Sequence, residues 1–224
     1  MAGPIPRYAG DDSQAIFLLM PNLADSLRLL LILDIPLLGD RDPVATGISA
    51  VQGGVTALQL RWKEGPDRAY VSLARELRRT LAVPVFVNDR MDLALAAGCA
   101  GVHLGSDDLP IALARKIAPP GFLIGASVGD AKEAAASTGA DYVGIGPWRA
   151  STTKLDAGAA LGADGVRRLL GMVKVPAVVI GGVRPEDVGS IRALGAGGVA
   201  VGSGILSAVD TKEAAATFAD RLTA

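Results

Sequence analysis

Two cations and an amide occur at alternate positions in the segment Gln59-Leu60-Arg61-Trp62-Lys63. If this segment ends a β-strand, alternation places the side chains of Gln59, Arg61 and Lys63 on one face. Arginine binds phosphate oxygens as a two-pronged donor and lysine binds them as a point charge. This face therefore predicts an anion site, with a salt-bridge cluster at a strand end as the alternative.

Two acidic residues follow the next two apolar runs of the chain, Asp89 directly and Asp108 shortly after Gly105. Neighbouring strands of a barrel stand about 5 Å apart, so these carboxylates can approach one another. Beside a diphosphate they suit Mg²⁺, which usually takes one or two carboxylates together with phosphate oxygens. For Asp108 the alternative is a helix N-cap, since it precedes a helical stretch.

Hydroxyl and glycine residues follow the later apolar runs. The segment 151–154 reads Ser-Thr-Thr-Lys, which supplies three donors and a charge for a phosphate or diphosphate. A solvated loop is the alternative there. Gly181 and Gly182, and Gly202 and Gly204 on either side of Ser203, let backbone N–H groups reach a phosphate, as in many barrels. Together these segments predict a phosphorylated small molecule as ligand.

The chain contains one histidine, His103, and one cysteine, Cys99. A histidine between apolar neighbours favours a packed, hydrogen-bonded residue over a catalytic one. Cys99 is expected to be a small buried hydrophobe. A single cysteine cannot form an intrachain disulfide, which favours a cytoplasmic location. The two counts exclude an ordinary four-ligand zinc site, so any metal should be a hard cation on oxygen ligands.

Eight short apolar runs alternate with eight helical stretches, and this rhythm must position the polar residues. The runs are 27–34, 55–61, 83–89, 100–105, 122–127, 140–146, 175–182 and 197–203. The helical stretches are 43–53, 66–82, 91–98, 108–117, 130–138, 162–171, 184–194 and 210–222. Eight such units predict a single α/β domain, a (β/α)₈ TIM barrel over 27–224. Residues 1–26 are expected to form a loosely ordered N-terminal extension. A doubly wound sheet is the main alternative, and a solenoid would suit the repeat period.

Composition limits the partners. The 224 residues include 22 Lys+Arg and 23 Asp+Glu, a formal net charge of −1, which argues against a nucleic-acid binder. The longest early apolar run, 29–33, is too short to span a bilayer. We therefore expect neither nucleic acid nor a membrane as a partner. Assembly into a homo-oligomer is a separate expectation that the composition does not decide.

Eight ordered motifs carry a family resemblance. They are Q-L-R-x-K (59–63), N-D-R-x-D-L-A-L-A (88–96), G-V-H-L-G-x-D-D-L-P (101–110), G-x-S (125–127), G-A-D-Y-V-G-x-G-P (139–147), T-K-x-D-A (153–157), I-G-G (180–182) and G-V-A-V-x-S (198–203). From about residue 27 to 207, their order and spacing resemble the thiamine-phosphate synthase family. The resemblance implies a (β/α)₈ barrel that joins hydroxymethylpyrimidine diphosphate to a thiazole phosphate, with release of diphosphate and with Mg²⁺ as cofactor.

The resemblance also implies roles for individual residues. The pyrimidine diphosphate would be held by Gln59, Arg61, Lys63, Asn88, Ser127 and Lys154. The thiazole phosphate would be held by Ser151, Thr152, Thr153, Gly182, Gly202 and Ser203, and Mg²⁺ by Asp89 and Asp108. The residues expected to be catalytic are Arg61, Lys63, Ser127 and Lys154.

The chain departs from the family pattern at Ser106, Gly129, Ala150 and Gly202, and in the residues before Asp34. None of these changes removes a charged residue. The alternatives are a thiazole tautomerase-like paralogue and a non-catalytic barrel that binds thiamine phosphate. A sugar-phosphate epimerase barrel would share only the glycine-rich phosphate site.

Overall fold

The computed structural model of the protein describes residues 22–149 and 159–223. Eight parallel strands pair each with the next, and β8 pairs with β1 to close a barrel. The strands are β1 (Leu29–Asp34), β2 (Ala57–Arg61), β3 (Val85–Asn88), β4 (Gly101–Leu104), β5 (Leu123–Val128), β6 (Tyr142–Ile145), β7 (Ala177–Ile180) and β8 (Gly198–Val201). The predicted (β/α)₈ barrel is confirmed.

Helices cover the outside of the barrel between successive strands. The α-helices are α1 (Leu23–Ser26), α2 (Pro43–Gln52), α3 (Asp67–Thr80), α4 (Met91–Ala97), α5 (Ile111–Ile117), α6 (Ala131–Ala136), α7 (Gly162–Leu170), α8 (Val188–Ala193), α9 (Ser203–Leu206) and α10 (Thr211–Thr223). Short 3₁₀ helices occupy Ile35–Leu38 and Pro185–Asp187. Each of the eight predicted helical stretches contains a helix, whereas the four-residue helices α1 and α9 were not predicted.

The start of α5 differs from the prediction. The helix begins at Ile111 after Pro110, and the side chain of Asp108 does not cap it. Instead the Asp108 carboxylate accepts a 2.6 Å hydrogen bond from the backbone N–H of Gly105, within the turn that follows β4. The N-cap interpretation of Asp108 is therefore wrong, because the proline defers the helix by three residues.

Of the expected extension 1–26, the structure describes residues 22–26. Asn22 caps α1, its side chain accepting a hydrogen bond from the N–H of Ala24. Leu23 packs against the apolar residues inside the barrel. Residues 1–21 lie outside the described part of the chain.

Two apolar layers hold the barrel, and β1 contributes to both. Leu29, Leu31 and Leu33 pack outward, in the layer shared with the helices. The alternate residues Leu30 and Ile32 point inward. Asp34 has the same parity, so the alternation that buries Leu30 and Ile32 also turns the last residue of β1 into the barrel.

Large inward side chains need glycine opposite them. Phe86 and Tyr142 meet edge to face inside the barrel, with ring centroids 5.4 Å apart. A Cβ atom on Gly125 would stand 2.3 Å from the Tyr142 ring, so only glycine fits there. Cys99 is buried before β4 as predicted, and burial raises the pKa of its thiol to about 12.

Within residues 22–149 and 159–223, the helices are all too short or too polar to cross a membrane.

Candidate active site

A cavity of about 350 Å³ lies at the carboxyl ends of the strands. Every predicted site residue within the described ranges lines this cavity: Gln59, Arg61, Lys63, Asn88, Asp89, Asp108, Ser127, Gly182, Gly202 and Ser203. The remaining predicted residues, Ser151, Thr152, Thr153 and Lys154, lie outside the described residues. The structure thus brings the predicted anion, metal and phosphate positions into one space.

An amide pair joins the ends of β2 and β3. Gln59 is 4% exposed, and its amide nitrogen donates a 2.7 Å hydrogen bond to the side-chain oxygen of Asn88. This bond fixes which way each amide faces. The second hydrogen of the Gln59 amide and the amide hydrogens of Asn88 remain for other acceptors.

Arg61 is anchored by a carboxylate that sequence reasoning did not include in the site. Asp34 pairs with Arg61 in the β1–β2 register, and its Oδ2 accepts a 2.6 Å hydrogen bond from Arg61 Nη1. Asp34 is 4% exposed, and its buried Oδ1 has no hydrogen-bond partner among the residues that the structure describes. The ion pair holds the Arg61 side chain at the cavity wall, where the guanidinium keeps further N–H groups for an anion.

The predicted carboxylate pair forms at the ends of β3 and β4. Asp89 has a left-handed backbone, with φ 64°, and its N–H donates to the carbonyl oxygen of His103 at 2.8 Å. Burial raises the pKa of Asp89 to about 6, and the charge of Asp108 with a hydrogen bond to it adds to the rise. Lys63 and Arg61 oppose this shift. Two carboxyl groups that repel one another therefore lie close together beside two cations.

Two carboxylates are too few ligands for a metal site that is built from protein side chains alone. Among the described residues, no three His, Cys, Asp or Glu side chains gather as metal ligands. Two carboxylates match the partial coordination that Mg²⁺ takes from protein when water and phosphate oxygens supply the rest. A cation between Asp89 and Asp108 would also relieve their repulsion, so the residues present fit Mg²⁺ with a phosphorylated ligand.

His103 is packed and hydrogen-bonded, as predicted, but it also lines the cavity. It is 8% exposed and lies on β4 between two partners. Its Nδ1 is 3.2 Å from the Tyr142 hydroxyl, and its Nε2 is 3.1 Å from the Ser127 hydroxyl. The histidine therefore connects the interior of the barrel to a predicted site residue, which the sequence did not indicate.

The ends of β7 and β8 form the glycine-rich wall of the cavity. Gly181 and Gly182 both have left-handed backbones, with φ 92° and 67°. A Cβ atom on Gly181 would stand 2.6 Å from a side-chain atom of Pro147, so the chain passes too close for any side chain. Bare backbone at this wall leaves room for a phosphate to approach N–H groups, and the predicted phosphate site stays a prediction.

The sequence that forms the barrel and lines the cavity matches a known protein family. The model described as thiamine monophosphate synthase matches residues 29–205. The chain belongs to the thiamine monophosphate synthase family. This match spans all eight strands and every described residue of the site, and it confirms the resemblance inferred from the motifs.

Individual members of the thiamine monophosphate synthase family agree with this assignment. The chain is 44% identical to the thiamine-phosphate synthase of Azorhizobium caulinodans over 204 residues, covering 89% of this chain and 96% of that one. It is 44% identical to the thiamine-phosphate synthase of Herpetosiphon aurantiacus over 197 residues, covering 85% and 94%. The solved thiamine phosphate pyrophosphorylase of Pyrococcus furiosus superimposes with a TM-score of 0.83 at 35% identity, over 90% of this chain and 98% of that one.

Proposed function

We propose that the protein condenses hydroxymethylpyrimidine diphosphate with a thiazole phosphate to give thiamine phosphate and diphosphate. Family membership supports a transferase of thiamine biosynthesis. The observation that carries the proposal is the convergence of Arg61, Lys63, Asp89 and Asp108 on one cavity. A diphosphate leaving group needs such cations, and a metal-bridged diphosphate needs such carboxylates.

The pyrimidine diphosphate is assigned to the β2–β3 side of the cavity. The Gln59–Asn88 amide pair offers directed donors and acceptors for the aminopyrimidine ring. Arg61, held by Asp34, and Lys63 neutralise the diphosphate. Because the guanidinium is anchored before the substrate arrives, little reorganisation is needed as charge develops on the leaving group.

Mg²⁺ is the proposed cofactor, and Asp89 and Asp108 are the residues that would hold it. When bound, the ion would offset the negative charge of the diphosphate. The raised pKa of Asp89, caused by burial and by the neighbouring Asp108, supports this assignment, because a cation at the pair would offset the same repulsion. A cation and a proton compete for the same place between the two carboxylates.

The reaction breaks the bond between the pyrimidine methylene carbon and the diphosphate oxygen, whose electrons leave with the diphosphate. The electron-rich aminopyrimidine stabilises the developing methylene cation. The thiazole nitrogen then supplies the electron pair for the new carbon–nitrogen bond. In this scheme the residues of the chain bind, orient and neutralise, and the nucleophile comes from the second substrate.

The thiazole phosphate is assigned to the other side of the cavity, at Gly182, Gly202 and Ser203. Together with Ser151, Thr152 and Thr153 these residues would bind its phosphate. Lys154 would add a charge to the leaving diphosphate. Substitution of the residues in 151–154 one at a time, with kinetics for both substrates, tests this division.

The deciding experiment is incubation with both substrates and Mg²⁺, followed by detection of thiamine phosphate and diphosphate. A synthase forms both products in equal amounts, and a Lys63→Met variant forms far less. A chain that binds thiamine phosphate but forms neither product is the non-catalytic binding barrel. A chain that converts only the thiazole is the tautomerase-like paralogue.

We also propose where the protein is located in the cell and how it assembles. We expect a cytoplasmic protein, which cell fractionation tests. A homo-oligomer is the further expectation, which light scattering of the purified chain tests.

A further inference from the structure

The hydrogen-bond chain from Tyr142 through His103 to Ser127 has a direction. Tyr142 is fully buried, and its hydroxyl has one hydrogen-bond partner among the described residues, the Nδ1 of His103. A buried hydroxyl needs an acceptor for its hydrogen. Burial also raises the pKa of Tyr142 far above its usual value, so the hydroxyl keeps its proton. Tyr142 therefore donates and Nδ1 accepts.

The donor role of Tyr142 fixes the tautomer of His103. When Nδ1 of a neutral imidazole accepts, the hydrogen is carried by Nε2. Nε2 lies 3.1 Å from the Ser127 oxygen, so in this tautomer Nε2 is the donor of that hydrogen bond. An imidazolium would present a hydrogen on Nδ1 as well, and the buried Tyr142 hydrogen would then lose its acceptor.

Two glycines hold the His103 ring in this position. A Cβ atom on Gly125 would stand 2.6 Å from Nδ1, and one on Gly144 would stand 3.2 Å from Cε1. The ring thus lies against bare backbone of β5 and β6.

We propose that Tyr142 and His103 are positioning residues that commit the Ser127 hydroxyl to donating its hydrogen to a phosphate oxygen of the pyrimidine diphosphate. The oxygen of Ser127 already accepts from His103, so its own hydrogen is available to the cavity that it lines. The buried Tyr142 hydroxyl, and not the ligand, determines the direction of these hydrogen bonds. The ligand assignment rests on the proposed function, whereas the tautomer follows from the free protein.

The first test reads the tautomer directly. His103 is the one histidine of the chain, so ¹⁵N-histidine labelling of the untagged protein gives the signals of a single ring. We expect a pyrrole-like Nε2 and a pyridine-like Nδ1 in the free protein at neutral pH. A hydrogen on Nδ1, alone or in an imidazolium, overturns the proposal.

A pair of tyrosine variants separates this role from general packing. Tyr142→Phe removes the donor, and we expect the Nδ1 signal to shift. The matched control is Tyr70→Phe, which also removes a buried hydroxyl hydrogen bond, the 2.6 Å bond to the Leu60 carbonyl oxygen. We expect this control to leave the His103 signals unchanged. Unchanged signals in Tyr142→Phe overturn the proposal.

The second test is a kinetic cycle with the pyrimidine diphosphate. Loss of a neutral hydrogen bond predicts that Tyr142→Phe lowers kcat about 2- to 10-fold, and loss of a bond to a charged group predicts about tenfold or more for Ser127→Ala. If Tyr142 acts through Ser127, the double variant is no slower than Ser127→Ala. Multiplying effects, or an unchanged kcat in Tyr142→Phe, overturn the proposal.

The two tests also separate this proposal from the proposed function. A wild-type chain that forms no thiamine phosphate but shows the expected tautomer refutes the synthase assignment and retains the Tyr142–His103–Ser127 chain. An active synthase with the opposite tautomer refutes the proposed hydrogen-bond direction from Tyr142 to Ser127 and retains the proposed function. If Tyr142→Phe does not fold, the wild-type tautomer together with Ser127→Ala still decides.

Discussion

Removal of the Arg61 side chain should destabilise the protein in a way that depends on pH. In Arg61→Ala, Asp34 loses its 2.6 Å partner, and its other carboxylate oxygen has no hydrogen-bond partner within residues 22–149 and 159–223. The Asp34 side chain is 6% exposed. Loss of one partner of a buried ion pair destabilises by about 3–5 kcal/mol. An independent limit comes from protonation, since adding a proton at pH 7 to a carboxyl of ordinary pKa costs about 4 kcal/mol. The two figures agree.

The same limit gives the pH dependence. At pH 5, protonation of an ordinary carboxyl costs only about 1.5 kcal/mol, so the penalty for the unpaired charge falls to that value. A raised carboxyl pKa favours folding at low pH and loses this effect as the pH rises. With about 2–4 °C per kcal/mol for a domain of this size, we expect Tm to fall by roughly 8–16 °C at pH 7 and by roughly 3–6 °C at pH 5.

Scanning calorimetry of wild type and variants at both pH values tests this reasoning. Asp34→Asn added to Arg61→Ala removes the stranded charge, so most of the lost stability should return while turnover stays low. Arg167→Ala is the matched control, since Arg167 pairs with Asp164 on the exposed surface and its loss should leave Tm unchanged. An equal Tm loss at pH 5 and pH 7, or no recovery in the double variant, would refute the argument.

Three further predictions follow from individual positions. Asp89→Asn should raise Tm of the metal-free protein and abolish most turnover, since it removes a like-charge contact and asparagine tolerates the left-handed backbone, whereas Asp89→Ala should not raise Tm. Gly125→Ala should destabilise by about 1–3 kcal/mol or more through overpacking against Tyr142, as measured by urea unfolding, with Gly189→Ala in open space as the tolerated control. Lys154→Ala should lower kcat about 10²- to 10³-fold with a smaller change in the thiazole phosphate KM, and a near-wild-type kcat would remove it from the site.

Much of the fold could be predicted because the strands are buried on both faces. Runs such as 29–33 are continuously apolar, which is typical of parallel strands under helices. The helix boundaries were harder to predict from the sequence where the helices are short. The four-residue helix Ser203–Leu206 contains too few residues for a 3.6-residue period to appear.

The site was predictable where one strand carries several polar residues. Alternation places Gln59 and Arg61 on one face of β2, and Lys63 follows two residues after the strand ends; the structure shows all three at one cavity. Asp34 was missed because its role depends on a partner 27 residues away, which only the β1–β2 register supplies. His103 was predicted to be packed, but its connection to Tyr142 and Ser127 crosses three strands and leaves no local pattern in the sequence.

The closed barrel determines from which side molecules enter and leave the cavity. Phe86 and Tyr142 are fully buried beneath it and pack edge to face, so the barrel has a solid floor on that side. Substrates and products therefore pass between the cavity and solvent above the strand ends, and not through the interior of the barrel on that side.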